Sequence, residues 1–276
     1  MLIGIIGKAN VGKSTFFNAA TELNVQAANF PFTTLNPNIG MGHVRLKCVC
    51  KEFNVQDNPV HSVCIEGNRF IPIRLIDVPG LVPGAHLGKG LGNRFLDDAR
   101  QADALIHVID GSASTDIEGK PIAQGTGDPL SDIKFVEEEF DQWLVSVVGR
   151  EWTKVVRDAE NQQKKLEQLL SKRLSGLGVR QGPVISVLTE TGLYTKKPTE
   201  WTGQDVLRFC KTIRLRTKPI IIAANKADLQ SATSVITAMK SNGDQVHACS
   251  AEAESMLRKA AKRGTVRYLP GDNSFE

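Results

Sequence analysis

Short apolar runs alternate along this chain with stretches in which apolar residues recur every three or four positions. Leu2 to Ile6 is a run of the first kind, closed by Gly7, and predicts a buried strand. A helix is predicted from Lys13 to about Leu23. His43 to Cys50 and Arg69 to Ile76 read as strands. The loop between them carries Asn58-Pro59 and Gly67-Asn68, so they are expected to pair antiparallel. Asn93 to Ala102 reads as helix, Ala104 to Ile109 and Pro219 to Ala224 as buried strands, Val246 to Ser250 as a last strand, and Glu252 to Arg263 as a closing helix. Strands alternating with helices predict an α/β fold with a mainly parallel sheet.

One connection is too long for that scheme. A crossover helix needs roughly 25 residues, whereas about 108 separate Asp110 from Pro219. Within this span Ile133, Val136, Phe140, Trp143 and Val147 share a helical spacing after Asp128-Pro129, a plausible start signal. Val155, Ala159, Leu166, Leu169 and Leu170 suggest a second amphipathic helix, broken by Gly176, Gly178 and Gly182-Pro183. The expectation is a helical hairpin, residues 136–202, inserted into a discontinuous α/β domain of residues 1–135 and 203–276.

Charge sharpens this division. Between Arg150 and Lys218 there are 15 Lys/Arg against 7 Asp/Glu, a net of +8, which leaves −4 for the rest of a chain whose net charge is +4. A basic module on an acidic one suits contact with nucleic acid; a solvated helical face is the plainer reading. No apolar run reaches the roughly 18 residues of a membrane span, and the apolar N-terminus is short for a signal peptide, so a cytoplasmic protein without membrane contact is expected. Five cysteines in a long chain argue against a disulfide scaffold.

The chemistry lies in loops that follow the predicted strands. Gly7-Lys8-Ala9-Asn10-Val11-Gly12-Lys13-Ser14 matches GxxxxGK[ST] between a strand and a helix. Glycines let successive N–H groups turn toward phosphate oxygens, and the helix N-terminus adds its dipole. Lys13 is expected to reach the β- and γ-phosphates and Ser14 to give its hydroxyl to Mg²⁺, with Gly7, Ala9, Asn10, Val11, Gly12 and Thr15 completing the nucleotide contacts. Asp77-Val78-Pro79-Gly80 follows a strand; Asp77 is a second Mg²⁺ candidate, and the N–H of Gly80 suits the γ-phosphate. Thr33 and Thr34 lie in a loop about 20 residues past Lys13, where a threonine hydroxyl closes the Mg²⁺ shell and senses the γ-phosphate in a switch. Asn225-Lys226-Ala227-Asp228 matches NKxD. Asp228 can accept from guanine N1–H and the 2-amino group; adenine offers neither, which favours GTP. Asn225 is expected to tie the base loop to the phosphate loop, Lys226 to cover the base with its stem, and the Ser250-Ala251 backbone to meet guanine O6.

The segments GKANVGKSTFFNAAT, NFPFTTLNPN and DVPGLVPGAHLGKGLGNRFL together resemble the Obg-related translation-factor class of GTPases, and within it the YchF or Obg-like ATPase group, archaeal-type branch. The resemblance spans nearly the whole chain. It implies that Thr34 is the switch threonine and that the protein associates with ribosomes; the charge of the basic insertion makes that segment the expected contact surface for a ribosome or RNA. Some members have lost NKxD and favour ATP; the intact Asn225-Lys226-Ala227-Asp228 here points to GTP, with an ATPase of the same fold as the alternative. Members usually carry a C-terminal TGS domain, and no such segment is seen before Glu276, so the chain reads as truncated or fragmentary. Ala9 stands where the group usually has proline.

Many GTPases orient the attacking water with a glutamine just after DxxG; here that position is Leu81, which has no hydrogen-bonding group. The resemblance points instead to His86, on the glycine-rich loop from Gly84 to Gly92. A slow-hydrolysing, nucleotide-gated scaffold is the reading that takes Leu81 at face value. Asn10 resembles the phosphate-loop asparagine that helps bind K⁺ in some GTPases of this class, an ion that would supply charge where an arginine finger otherwise acts. Finally, Cys48-x-Cys50 and His61-x-x-Cys64 flank one loop and offer four soft ligands suited to Zn²⁺, although strand cysteines are often merely small apolar residues. Cys210 and Cys249 read as core.

Overall fold

A computed structural model describes residues 1–21, 38–81, 84, 98–160, 165–241 and 245–276. Among the described residues the sheet has seven strands: β1 (Leu2–Ile6), β2 (Asn38–Lys47), β3 (Val63–Ile65), β4 (Asn68–Asp77), β5 (Ala104–Asp110), β6 (Ile220–Asn225) and β7 (Val246–Ala248). The order is β2-β4-β1-β5-β6-β7, with β3 beside β4. β4, β1, β5, β6 and β7 run parallel, and β2 and β3 pair antiparallel with β4. The first predicted hairpin strand begins earlier than its periodicity suggests: Asn38 lies opposite Asp77 and Lys47 opposite Asn68. Beyond Lys47 the chain turns into a 3-10 segment, Val49–Lys51, rather than extending to Cys50.

The helices are α1 (Lys13–Thr21), α2 (Pro129–Gly149), α3 (Trp152–Glu160), α4 (Leu166–Arg173), α5 (Gln181–Glu190), α6 (Gly203–Thr217), α7 (Ala232–Ser241) and α8 (Ala251–Lys262). Residues 98–101 are also helical. No helix among the described residues is long and apolar enough to cross a membrane.

Alternation along the strands sends neighbours to opposite faces of the sheet. Ile5, Leu75 and Val108 pack with Phe17 of α1 on one face. Ile6, Ile76 and Leu105 pack with Val136 and Phe140 of α2 and with Phe209 and Ile213 of α6 on the other. Each such buried side chain contributes about 1.5–3 kcal/mol.

The long connection is a correction to the two-helix expectation: it holds α2 to α6. Asp128 caps α2, its carboxylate accepting from the N–H groups of Leu130 and Ser131, with Pro129 in the first turn. Gly182-Pro183 does not break the chain there; it lies in the first turn of α5, where a missing N–H costs no helical bond. Thr202 and Asp205 form a capping box that starts α6. The expected junction at residue 136 falls inside α2, because one apolar stripe of that helix serves both the sheet and the helical segment. Trp152, Trp201 and Phe209 pack in sequence as tilted rings at centroid distances of 5.3 and 6.0 Å. Cys210 is buried in the same core.

The parallel register carries Asp77, Asp110 and Asn225 to one edge: Ile5 lies beside Asp77, and Asp110 beside Asn225. Loops leaving the C-terminal ends of parallel strands gather there, the usual place for a ligand in an open α/β sheet.

Candidate functional site

The loop after β1 is curled by residues with positive φ: Gly7 at 144°, Asn10 at 61° and Gly12 at 92°. A Cβ on Gly7 would come within 2.3 Å of the Val108 carbonyl oxygen, and one on Gly12 within 2.3 Å of Asn225 Nδ2. Both positions therefore demand glycine on grounds of space as well as of conformation. The curl forms the kind of concavity in which successive backbone N–H groups converge on an anion.

Lys13, the first residue of α1, is buried and donates to the Lys8 carbonyl at 2.6 Å. Burial lowers its pKa to about 8, and the nearby charge of Asp77 opposes that shift. Ser14 Oγ donates to Asp77 Oδ2 at 2.8 Å. Asp77 is fully buried, and its Oδ1 has no hydrogen-bond partner among the described residues. Burial raises its pKa, while the Ser14 hydrogen bond and the Lys13 charge act against the rise. A buried carboxylate with an open oxygen beside a hydroxyl is a donor set that fits a hard, oxygen-seeking divalent cation. Gly80 borders the same loop: a Cβ there would lie 3.2 Å from Lys13 Nζ and 3.4 Å from the Ala9 nitrogen.

Leu81 donates its N–H to the Gly7 carbonyl at 3.1 Å, and its side chain is 1% exposed within the main core. Its aliphatic identity thus follows from packing. The expected Thr33, Thr34 and His86 lie outside the described residues. Gly84, at the start of the glycine-rich segment, donates its N–H to Glu139 of α2 at 2.7 Å.

Asn225, at the end of β6, is buried and uses both ends of its amide. Nδ2 donates to the Val11 carbonyl at 2.9 Å, and Oδ1 accepts from the Ala251 N–H at 3.0 Å. One side chain thus joins the phosphate loop, the end of β6 and the start of α8. The Ala251 N–H, a candidate for guanine O6, is engaged by Asn225. Lys226 adopts a φ of 63°, and its Nζ donates to Asp110 Oδ2 at 2.9 Å and to Ser114 Oγ at 3.3 Å. Asp228 is exposed and accepts from Ser250 Oγ, which in turn caps α8 by accepting from the Ala253 N–H.

Two groups, Asp110 and Lys8, escaped the sequence reading. Asp110 ends β5 and accepts from the hydroxyls of Ser112, Ser114 and Thr115 as well as from Lys226. These bonds and the Lys226 charge outweigh burial and hold its pKa below the usual carboxylate value. An Asp closing a buried strand was the available signal. Lys8 donates to the Thr115 and Asp116 carbonyls at 3.1 and 2.7 Å and pairs with Asp132 of α2 at 2.7 Å. Asn10 Nδ2 donates to the Gly119 carbonyl at 2.8 Å. The segment from Thr115 to Gly119 therefore braces the outside of the phosphate loop, and no local motif announces it.

Comparison with known proteins agrees with this geometry. A family model described as 50S ribosome-binding GTPase matches residues 2–190, and one described as Obg-like GTPase YGR210-like, G4 motif-containing domain, matches residues 223–276. An uncharacterized GTP-binding protein of Methanocaldococcus jannaschii is 44% identical, over 100% of this chain and 68% of its own length. A protein named ribosome-binding ATPase YchF, from Mycoplasma pneumoniae, is 35% identical over 83% of this chain and 58% of its own length. The crystal structure of a GTP binding protein from Pyrococcus horikoshii superposes with a TM-score of 0.78 at 36% identity, covering 98% of this chain and 70% of that one. The chain thus spans about two thirds of the length of its archaeal relatives and little more than half that of YchF. With family models over most of its length and an archaeal relative matched along the whole of this chain, the chain belongs to the Obg-like, or YchF, family of GTP-binding P-loop proteins.

Proposed function

We propose that this chain binds a guanine nucleotide together with Mg²⁺, hydrolyses GTP, and acts as a nucleotide-dependent switch on ribosomes. The observation that carries the reading is the double engagement of Asn225, which fixes the NKxD loop against the phosphate loop at one distance and so sets where a base and its phosphates lie. In this reading the curled backbone from Gly7 to Ser14 and the ammonium of Lys13 hold the phosphates, and Asp228 selects the base. Ser14 and Asp77 hold Mg²⁺, joined by Thr34 in the triphosphate state. Bound there, Mg²⁺ supplies positive charge to the β- and γ-phosphate oxygens. Gly80 offers its N–H to the γ-phosphate, and His86 orients the attacking water in place of the buried Leu81. Asn10 contributes to a K⁺ position. Hydrolysis faster in KCl than in NaCl is expected from that assignment, and equal rates would remove it.

Two names among the relatives bear on substrate and partner. YchF of Mycoplasma pneumoniae is called a ribosome-binding ATPase, and the family model is called a 50S ribosome-binding GTPase. The basic insertion supports a ribosomal contact through its exposed Arg157, Lys172, Arg180, Lys197 and Lys211. Its charge is nevertheless partly internal. Arg214 is buried against Asp141 and Glu137, and Lys218 donates to the Arg100 and Ala102 carbonyls. Co-sedimentation with ribosomes that weakens steeply with salt is expected; a salt-insensitive association would count against this surface.

The deciding experiment is calorimetric titration of GDP and of ADP with Mg²⁺ into the wild type and Asp228→Ala. Tight GDP, weak ADP and loss of the preference in the variant are expected. Equal or stronger ADP binding would replace the GTPase reading with the ATPase one. Phosphate release no faster than in Lys13→Ala would leave a nucleotide-gated scaffold without hydrolysis.

A further inference from the structure

We propose that Cys48, Cys50 and Cys64, with the carboxylate of Asp57 as fourth ligand, form a structural Zn²⁺ site that staples the far end of the β2–β4 hairpin. The ligating atoms of the three cysteines all lie within 4.8 Å of one another. Cys50 Sγ and Cys64 Sγ are 3.7 Å apart. Tetrahedral zinc with Zn–S bonds of about 2.3 Å requires sulfur–sulfur edges of about 3.8 Å. One edge therefore already has the required length, and the others close with side-chain shifts of about 1 Å or less. The separation is not that of a disulfide, whose sulfurs lie about 2.05 Å apart.

The fourth position is set by contact. Cys48 Sγ donates to Asp57 Oδ2 at 3.3 Å, and Arg69 of β4 forms an ion pair with the same carboxylate. Arg69 would thus remain behind the ligand, orienting it and offsetting part of the negative charge of three thiolates and a carboxylate. Neither Asp57 nor His61 has a ligand atom within 4.8 Å of all three sulfurs; Asp57 already reaches Cys48, whereas His61, the fourth candidate by spacing, is exposed.

An independent reason comes from what the loop lacks. Between the end of β2 at Lys47 and the start of β3 at Val63, the regular structure is the 3-10 segment Val49–Lys51. Val49, Phe53, Val55 and Val60 are all exposed, and none belongs to a buried apolar cluster. Cys48 and Cys50 are the buried side chains of that segment, and the apolar burial they provide is small. Chain segments that cannot build a core are commonly held by a metal instead. The cluster draws its ligands from both sides of the loop, so one ion fixes its two ends. It lies at the Asn68 end of β4, a strand length away from Asp77, and has no share in nucleotide chemistry.

The test is metal content and metal response of the intact chain, purified without chelator after reconstitution with ZnCl₂ and desalting. About one zinc per chain is expected in the wild type, and below about 0.2 in Cys50→Ser and Cys64→Ser. Co²⁺ in place of zinc should give the intense tetrahedral d–d bands and the thiolate charge-transfer band in the wild type. His61→Ala should keep full zinc, whereas Asp57→Asn should lose zinc to a competing chelator at least about tenfold more readily. Wild-type protein that stays below about 0.2 equivalents after reconstitution, or a Cys50–Cys64 disulfide in peptide mass spectra of the native protein, would overturn the site. Loss of zinc in His61→Ala with retention in Asp57→Asn would overturn Asp57 as ligand. The wild-type measurements decide the matter even where a cysteine variant fails to fold.

Discussion

Lys8 and Asp132 give the sharpest energetic prediction. Their side chains are 2% and 4% exposed, the charges meet at 2.7 Å, and the ammonium also reaches two backbone carbonyls. Burial raises the pKa of Asp132, and the hydrogen bond and charge of Lys8 act in the opposite direction without cancelling it. The cost of breaking the pair lies in the buried charge left behind. Lys8→Met strands a buried carboxylate and is expected to cost about 3–5 kcal/mol; Asp132→Leu strands an ammonium that keeps its two carbonyls and should cost less, about 2–4 kcal/mol. In the double variant both charges are gone, and Met and Leu fill a comparable volume. Its stability should lie within about 2 kcal/mol of the wild type, a coupling of at least about 3 kcal/mol. Urea unfolding followed by circular dichroism measures all four proteins. For a chain of this size the Lys8→Met loss corresponds to a Tm lowered by about 5–9 °C. Single variants within about 1 kcal/mol of wild type, or a double variant equal to the sum of the singles, would refute the argument.

Other consequences follow from single buried groups. His107 on β5 is 1% exposed, and neither ring nitrogen has a partner among the described residues; burial, and then the Lys13 charge, lower its pKa from 6.5 to about 3. The unfolded chain binds a proton below pH 6.5 that the folded chain refuses until about 3, so stability falls as the pH drops through that window, by about 2 kcal/mol at pH 5 from this group alone. His107→Leu should remove that part of the acid slope, and urea-unfolding curves that shift equally in both proteins between pH 7.5 and 5 would contradict it. Leu81→Gln, the substitution that restores the usual glutamine, should bury an unpaired amide, destabilise by about 2–4 kcal/mol and leave phosphate release no faster; faster release would mean that the side chain reaches the nucleotide. Asn225→Ala leaves the Val11 carbonyl and the Ala251 N–H unpaired, at about 1–3 kcal/mol each, and should weaken GDP at least about tenfold by calorimetry. Unchanged affinity would show that the two loops hold their spacing without it.

Sequence alone determined what depends on covalent spacing. Eight consecutive residues, Gly7 to Ser14, form the phosphate loop, because their φ values and the following helix are local properties. Asp77 and Asn225 were legible because each closes an apolar run, and a strand ending in a polar residue places that residue at the sheet edge. The helix start at Asp128 follows from capping chemistry within three residues, whereas the Thr202–Asp205 capping box that starts α6 was not read from the sequence. The helical segment was only half legible: Gly182-Pro183 reads as a break unless the first turn of a helix is known to begin at Gln181. The tertiary structure decided the rest, since those contacts join residues far apart in the chain. Asp132 meets Lys8 across 124 positions, Lys226 meets Asp110 across 116, and Asn225 meets Val11 across 214. A lysine in a phosphate loop, or an aspartate within a helical stripe, carries no mark of its partner. Only the order in which the strands assemble brings the two into one buried site, where the low polarity makes their pairing obligatory.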